Sequence, residues 1–278
     1  MLDLRKMIQV YQKEGLAIDL ASARVSQDII LLAIASGPLN RNITIKGGVV
    51  MRSITNNNRR ATRDIDLDFI HYSLADESIK SFVEKMNCID GIRFSIDSEI
   101  EELKHQDYHG KSVIVKIEDQ NGTVISSKMD IGVHKHFEIE QEEYCFDVAM
   151  NESGVCLLRN TVEQAFVEKL RSLLIFGSNS RRYKDIFDMY YLKDIVNGSK
   201  IQAAIQLLIF SDKGIRENNY SGIIKRIETT FKDKQYLHRV SNSRQRWFDE
   251  DIRLIADGIL NWLKSIANQA LENKNNTR

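Results

Sequence analysis

The sequence predicts an α+β fold: an N-terminal mixed sheet with flanking helices, then an all-helical C-terminal domain. Three observations carry this. Residues 92–150 read as successive β-rich segments separated by turns, with Asn121-Gly122 a strong hairpin signal. From Thr161 onward the pattern turns helical and stays so. Between Asn42 and Phe69, an apolar strand, a Gly-Gly pair, a short helix, a basic loop and an Asp-x-Asp strand follow one another. The division falls near residue 160, giving domains 1–160 and 161–278.

Taken in order, residues 3–13 and 17–36 are predicted helices. The second is rich in Ile and Leu from Ile29 to Ile34 and stops at Gly37-Pro38. A strand over Ile43–Lys46, a helix over Val49–Ile54, the loop Asn56–Arg63 and a strand over Asp64–Phe69 come next. Residues 74–88 place Ile79, Phe82, Val83 and Met86 on one helical face. Strands are expected over 92–100, 112–118, 123–133 and 144–150, with turns at Asp90-Gly91, His109-Gly110 and Asn121-Gly122, in a sheet of about five strands. Thr161 caps a helix that ends at Gly177. Further helices are expected over 182–196, 200–210, 221–234 and 249–271, with a polar tail from Glu272.

Composition narrows the function classes. The chain has 278 residues, 42% of them hydrophobic, and 39 basic against 39 acidic residues. Nucleic-acid contact must therefore come from a local patch. No apolar run is long enough to span a membrane, and Met1–Lys13 lacks the apolar core of a signal peptide. Cys88, Cys145 and Cys156 are odd in number and widely spaced, which fits neither a zinc motif nor a disulfide framework. The expectation is reduced thiols in a cytoplasmic protein.

Residues 46–68 carry the chemistry. Alternate strand residues share a face, so Asp64 and Asp66 stand side by side, roughly 6–7 Å apart at Cα. Two carboxylates at that spacing repel unless cations lie between them, and hard oxygen ligands suit Mg²⁺. Gly47 and Gly48 allow backbone N–H groups to approach a phosphate. Either element alone is commonplace, a tight turn or a chance pair. Together they point to chemistry on a nucleoside triphosphate.

Other candidates keep two readings each. Asp130, near the end of an apolar strand, is an exposed strand-end residue or the third carboxylate of a two-metal site. Glu118 and Asp119 border the Asn121-Gly122 turn and read as solvent-facing. Lys169, on the apolar stripe of the helix after Thr161, snorkels or reaches a phosphate as a point charge. Lys184, Asp185 and Asp188 share one face, as a surface ion-pair ladder or as a stripe facing a cleft. Residues 213–246 hold Lys213, Arg216, Lys225, Arg226, Lys232, Lys234, Arg239, Arg244 and Arg246 against Glu217, Glu228 and Asp233, with Tyr220, Phe231, Tyr236 and His238 interleaved. That segment is an RNA-binding surface or a basic face without a partner; the local excess favours RNA.

These segments together resemble the AbiEii/AbiGii toxin family of the nucleotidyltransferase superfamily, the type IV toxin–antitoxin toxins. Gly47, Gly48, Asp64 and Asp66 match its Gly-Ser or Gly-Gly followed by Asp-x-Asp, and Arg60-x-Thr62-x-Asp64 resembles its Arg-x-Ser-x-Asp lead-in. Asp130 sits where the third carboxylate is expected. The motif Gln-Glu-x-x-Ala-x-Lys is met in part, as Glu163-Gln164 with Val167 for Ala and Lys169 matching. Arg182, Lys184, Asp185 and Asp188 match Arg-x-Lys-Asp-x-x-Asp-Leu, with Met189 for Leu. The resemblance spans residues 44–190. Gly48 lacks the hydroxyl some members offer to a phosphate, and the interval to Asp64 is longer than the short form of the motif. The C-terminal third matches no quoted motif.

The resemblance implies nucleotidyl transfer with release of pyrophosphate. Asp64, Asp66 and Asp130 would be the Mg²⁺ ligands and, with Lys169 and Asp185, the catalytic set. Gly47, Gly48, Lys169 and Lys184 would bind the nucleoside triphosphate (NTP), with Lys169 answering the charge of the leaving pyrophosphate. Asp185 would orient Lys169 or the base. The implied acceptor is the 3′ end of tRNA, gripped by residues 213–246, with arrest of translation and a separately encoded antitoxin as partner. Alternatives are a protein or small-molecule acceptor, or an NTP-binding module without turnover. Three carboxylates argue against the last, because binding alone does not need them.

Overall fold

The computed structural model describes residues 2–103, 110–149 and 151–276. His109, Met150 and the final two residues, parts of the expected turn, strand and tail, lie outside them. The chain divides into two compact units, Met1–Asn160 and Thr161–Arg278.

The first unit opens with α1 (Leu4–Lys13) and α2 (Ile18–Ser36). Asp3 caps α1 by accepting from the Lys6 amide. Then come β1 (Ile43–Lys46), α3 (Gly47–Thr55), β2 (Ile65–Phe69) and α4 (Asp76–Lys85). The strands β3 (Ile92–Ile96), β4 (Glu101–Glu102), β5 (Lys111–Asp119), β6 (Val124–Val133), β7 (Glu142–Val148) and β8 (Asn151–Arg159) complete it. They form one eight-stranded mixed sheet in the order β3-β5-β6-β2-β1-β8-β7, with β4 paired to β5. β2 runs parallel to β6 and antiparallel to β1, and β1 runs parallel to β8.

The sheet is larger than the sequence suggests, mainly because β8 is hidden. It is absent from the expected strands, yet it pairs antiparallel with β7, and its end, Leu158 and Arg159, pairs with β1. α2 packs on β6, β7 and β8, and α4 packs on β3. Ile29, Ile30 and Leu31 of α2 join Ile45, Leu67, Phe69, Met129 and Ile131 in one continuous core. Alternation along β2 and β6 sends these apolar residues inward and the acidic ones to the opposite face.

Two expectations are corrected here. Asp119 is not solvent-facing: it is buried, and its carboxylate accepts from the amides of Leu4, Asn121 and Thr123, tying α1 to the β5–β6 hairpin. The cysteines are not all reduced: Cys145 and Cys156 form a disulfide, and Cys88 is free. The antiparallel register sets Cys145 opposite Cys156, a juxtaposition that sequence spacing cannot reveal.

In the second unit, the described elements are α5 (Val162–Phe176), a 3₁₀ turn (Gly177–Asn179), α6 (Tyr183–Leu192), α7 (Gly198–Ile205) with a π-helical continuation (Gln206–Phe210), α8 (Tyr220–Lys232), α9 (Lys234–Ser241) and α10 (Ile252–Asn276). Thr161 caps α5 by accepting from the Gln164 amide. Phe166, Leu170, Phe187, Ile227, Ile255 and Ile259 are buried within it. No described helix is long and apolar enough to cross a membrane.

Candidate active site

The site in the first unit is built on the central strands. Register sets Lys46 of β1 opposite Asp66 of β2, Asp66 opposite Asp130 of β6, and Asp130 opposite Ser112 of β5. These residues form one row across four strands. Asp130 is buried and lies within β6, so the exposed strand-end reading does not hold. Asp64 immediately precedes β2, whose ladder begins at Ile65.

β1 runs directly into α3 at Gly47. Gly47 has φ +63°, and a Cβ there would overlap the Asp66 carboxylate. A Cβ on Gly48 would overlap the Thr62 side chain. The Gly48 amide points at Asp66 Oδ2, 3.4 Å away. The first-turn amides of α3 lack partners within the helix, which makes this end attractive to anions. The glycines thus bring a helix N-terminus against a carboxylate, a juxtaposition any larger residue would prevent.

Two basic residues that motif reasoning passed over balance these acids. Lys128 Nζ lies 2.8 Å from Asp130 Oδ2. Burial alone would lower the Lys128 pKa, but the hydrogen bond to Asp130 and the charges of Asp130, Asp64 and Asp66 raise it overall. Its ammonium therefore stands within the field of all three predicted carboxylates. Lys46 Nζ lies 2.6 Å from Asp68 Oδ1, an ion pair with both side chains 7% exposed. Asp68 continues the alternation Asp64-x-Asp66-x-Asp68, so period-2 counting carried one step further finds it. Lys128 leaves only a weak sequence signal, two residues before Asp130 on the same strand face.

Among the described residues, no three His, Cys, Asp or Glu side chains form a ready-made metal cage. The donor chemistry nevertheless fits a hard divalent cation. Asp130 Oδ1 is buried without a hydrogen-bond partner, Asp66 is its cross-strand neighbour, and the nearby positive charge comes from Lys128.

His134 follows β6, its amide donating to the Phe69 carbonyl at 2.9 Å. It is 4% exposed. Burial lowers its pKa from the usual 6.5, only partly opposed by the charge of Asp68.

In the second unit, Lys169 is buried and does not snorkel. Its Nζ lies 3.2 Å from Asp185 Oδ1 and 2.9 Å from Asp188 Oδ2. Arg182 Nε reaches Asp185 Oδ2 at 2.7 Å, and the Trp247 indole N–H donates to Asp188 Oδ1 at 3.1 Å. The acidic stripe of α6 is therefore a buried ion network rather than a surface ladder. Lys184, on the same helix, is half-buried. Trp247 is an addition: nothing local marks it, because its partner lies 59 residues away.

The 213–246 segment divides by role. Lys213, Arg216, Lys225, Lys232, Lys234, Arg239 and Arg244 are exposed. Arg226, Arg239 and Arg246 donate to backbone carbonyls of Leu174, Ser178 and Phe248. Phe231 and Tyr236, expected to interleave as stacking platforms, are buried and belong to the core.

A family model described as nucleotidyl transfer by the AbiEii toxin of type IV toxin–antitoxin systems matches residues 29–263. No curated protein matches the chain. Among solved structures, an antigenic nucleotidyltransferase-like protein from Paracoccidioides brasiliensis is similar at 14% identity and a TM-score of 0.46, over 78% of this chain and 91% of that one.

Proposed function

We propose a reaction on the premise that this chain belongs to the AbiEii family of nucleotidyl transferase toxins of type IV toxin–antitoxin systems. The protein is a nucleotidyltransferase toxin, and its family implies an NTP substrate and a separate antitoxin. The finer reading is transfer of a nucleotide from the NTP to the 3′ hydroxyl of tRNA, which stops translation.

The observation that carries this reading is the register of Asp66 with Asp130, beside the Gly47-Gly48 helix start. Asp64, Asp66 and Asp130 are the residues that would hold Mg²⁺. A bound divalent cation supplies charge neutralisation on the triphosphate and acidifies an attached hydroxyl. The first-turn amides of α3 receive phosphate oxygens, with the two glycines leaving room for them. The acceptor hydroxyl attacks the α-phosphorus as its proton leaves to a carboxylate or to solvent, and the bond to pyrophosphate breaks. Catalysis of this kind rests on positioning and fixed charge.

Lys169 of α5 and Lys184 and Asp185 of α6 belong to the helical unit, read as an all-helical domain. The Lys169–Asp185–Asp188 network fixes α5 to α6 and holds the motif-bearing face in one arrangement. The exposed basic residues of 213–246 support RNA as acceptor.

The test is incubation of purified protein with each α-labelled triphosphate, Mg²⁺ and total RNA. Label in RNA of tRNA size is expected, and lost in Asp66→Ala. Label in protein bands would move the acceptor to protein. No labelled RNA or protein, together with undiminished growth arrest by Asp66→Ala, overturns nucleotidyl transfer as the toxic activity.

A further inference from the structure

The first unit holds a second polar feature that the transfer chemistry leaves unused. A cleft of about 340 Å³ is lined by Arg24, Arg52, Asn56, Asn57, Asn58 and Thr62 among others. Arg52 is the unusual member. It is 9% exposed, and its Nη1 donates to Gln27 Oε1. Its Nε and Nη2 are buried without a hydrogen-bond partner.

The nearest acid does not resolve this. Asp28 Oδ1 lies 3.9 Å from Arg52 Nη2. The Tyr11 hydroxyl and the Ala149 amide both donate to Asp28 Oδ2, while Oδ1 is without a hydrogen-bond partner and is shared as an ion-pair partner with Arg24 Nε at 3.3 Å. Burial and the charge of Arg24 pull the Arg52 pKa down to about 9, against the opposing charges of Asp28 and Tyr11. The guanidinium remains a cation at neutral pH, with unmet donors in a low-dielectric setting. An unsatisfied buried donor is costly, and its hydrogen bond to an oxyanion is charge-assisted, roughly twice as strong as a neutral one.

The remaining lining suits the rest of a nucleotide. Asn56 ends α3 in the left-handed conformation at φ 45°, and Asn56 and Asn58 are exposed. Carboxamides both donate and accept, the complement of a base edge. Leu16, Leu20 and Val148 supply an apolar wall. Glu14 and Asp147 also line the cleft and disfavour a polyphosphate. Thr62 lines the cleft and also lies against Gly48, so the cleft adjoins the phosphate turn.

We propose that this cleft binds a nucleotide other than the donor, with a single phosphate on Arg52 and the base against the amides of Asn56, Asn57 and Asn58. Its occupant is a nucleoside monophosphate unit, either free or as the terminal unit of the RNA acceptor; the second source rests on the transfer reading above.

Equilibrium dialysis without divalent cation tests this in an Asp66→Asn background, where transfer is disabled. The probes are each 5′-nucleoside monophosphate and a short single-stranded RNA. At least one should bind saturably and protect the backbone of residues 52–62 from hydrogen exchange. Arg52→Met should weaken binding by about tenfold or more, the scale of a charge-assisted hydrogen bond. Asn58→Ala, at an exposed position, should weaken it severalfold. If Arg52→Met does not fold, Asn58→Ala and the protection pattern decide. Binding of mononucleotides identifies a free occupant; binding of RNA alone identifies the acceptor end. No binding of either, affinity unchanged in the folded variants, or protection absent from 52–62 overturns the cleft. Transfer of label to RNA is scored separately: its absence with cleft binding intact removes the transfer reading and leaves the cleft standing.

Discussion

Asp66 and Asp130 stand opposite one another on adjacent parallel strands. Two acids so placed repel, and Lys128 bonds Asp130 directly at 2.8 Å. Asp66→Asn and Asp130→Asn should therefore each cut catalysis by about a hundredfold or more while the chain stays folded, because relief of the repulsion between the two acids opposes any lost pairing. Pyrophosphate release and a melting curve on the same preparations check both halves. Activity retained in both variants removes the carboxylate row from the reaction.

Lys169 pairs with two buried acids, Asp185 and Asp188. Replacing it with Met leaves Asp188, which is fully buried, without its ammonium, and the expected loss is about 3–5 kcal/mol. Trp247 donates to the same carboxylate, so its fluorescence should report the change directly. A urea titration followed at the tryptophan emission maximum measures it. An unchanged midpoint would mean the network contributes nothing to stability.

His134 makes stability pH-dependent. Its folded pKa lies below the unfolded 6.5 because burial disfavours the cation. Above that value both states are neutral and the contribution is intact. As pH falls through 6.5 the unfolded chain binds the proton first, so stability declines until the folded pKa is reached. Asp68 and His136 are the charged neighbours, acting in opposite directions. Denaturation midpoints at pH 7.5 and 5.5 should differ less in His134→Gln than in the parent.

The Cys145–Cys156 bridge ties β7 to β8. Cys145→Ser should lower stability by about 2 kcal/mol, less if the ladder already restrains the hairpin. Cys88→Ser, which breaks no bridge, should leave it unchanged. Melting temperatures with and without reductant separate the two.

Much of the site was legible because strand alternation is a local property. Asp64, Asp66 and the glycine pair declare themselves within a short stretch of chain. What escaped depends on register, which no local pattern encodes. Asp130 is named by its motif position, but its pairing with Asp66 follows only from the register of β6 on β2. Lys128 and the Lys46–Asp68 pair answer charges brought close by the ladder. β8 hid behind a polar start, and Trp247 met Asp188 across a long sequence gap. Phe231 and Tyr236 misled because an aromatic among basic residues reads the same whether it stacks on a base or fills a core.

The tight seat of Gly47 has a genetic consequence. At φ +63° and against the Asp66 carboxylate, the position excludes any Cβ. Every missense change of a glycine codon adds one. In cells forced to survive this toxin without its antitoxin, codon 47 is thus a site where any amino-acid replacement disarms the protein, Gly47→Ala included. Sequencing of survivors should find replacements at codon 47 spread over many residue types, small ones included, just as at codon 66, where a change removes the carboxylate itself. The smallest residue in the site is as intolerant of replacement as its acids.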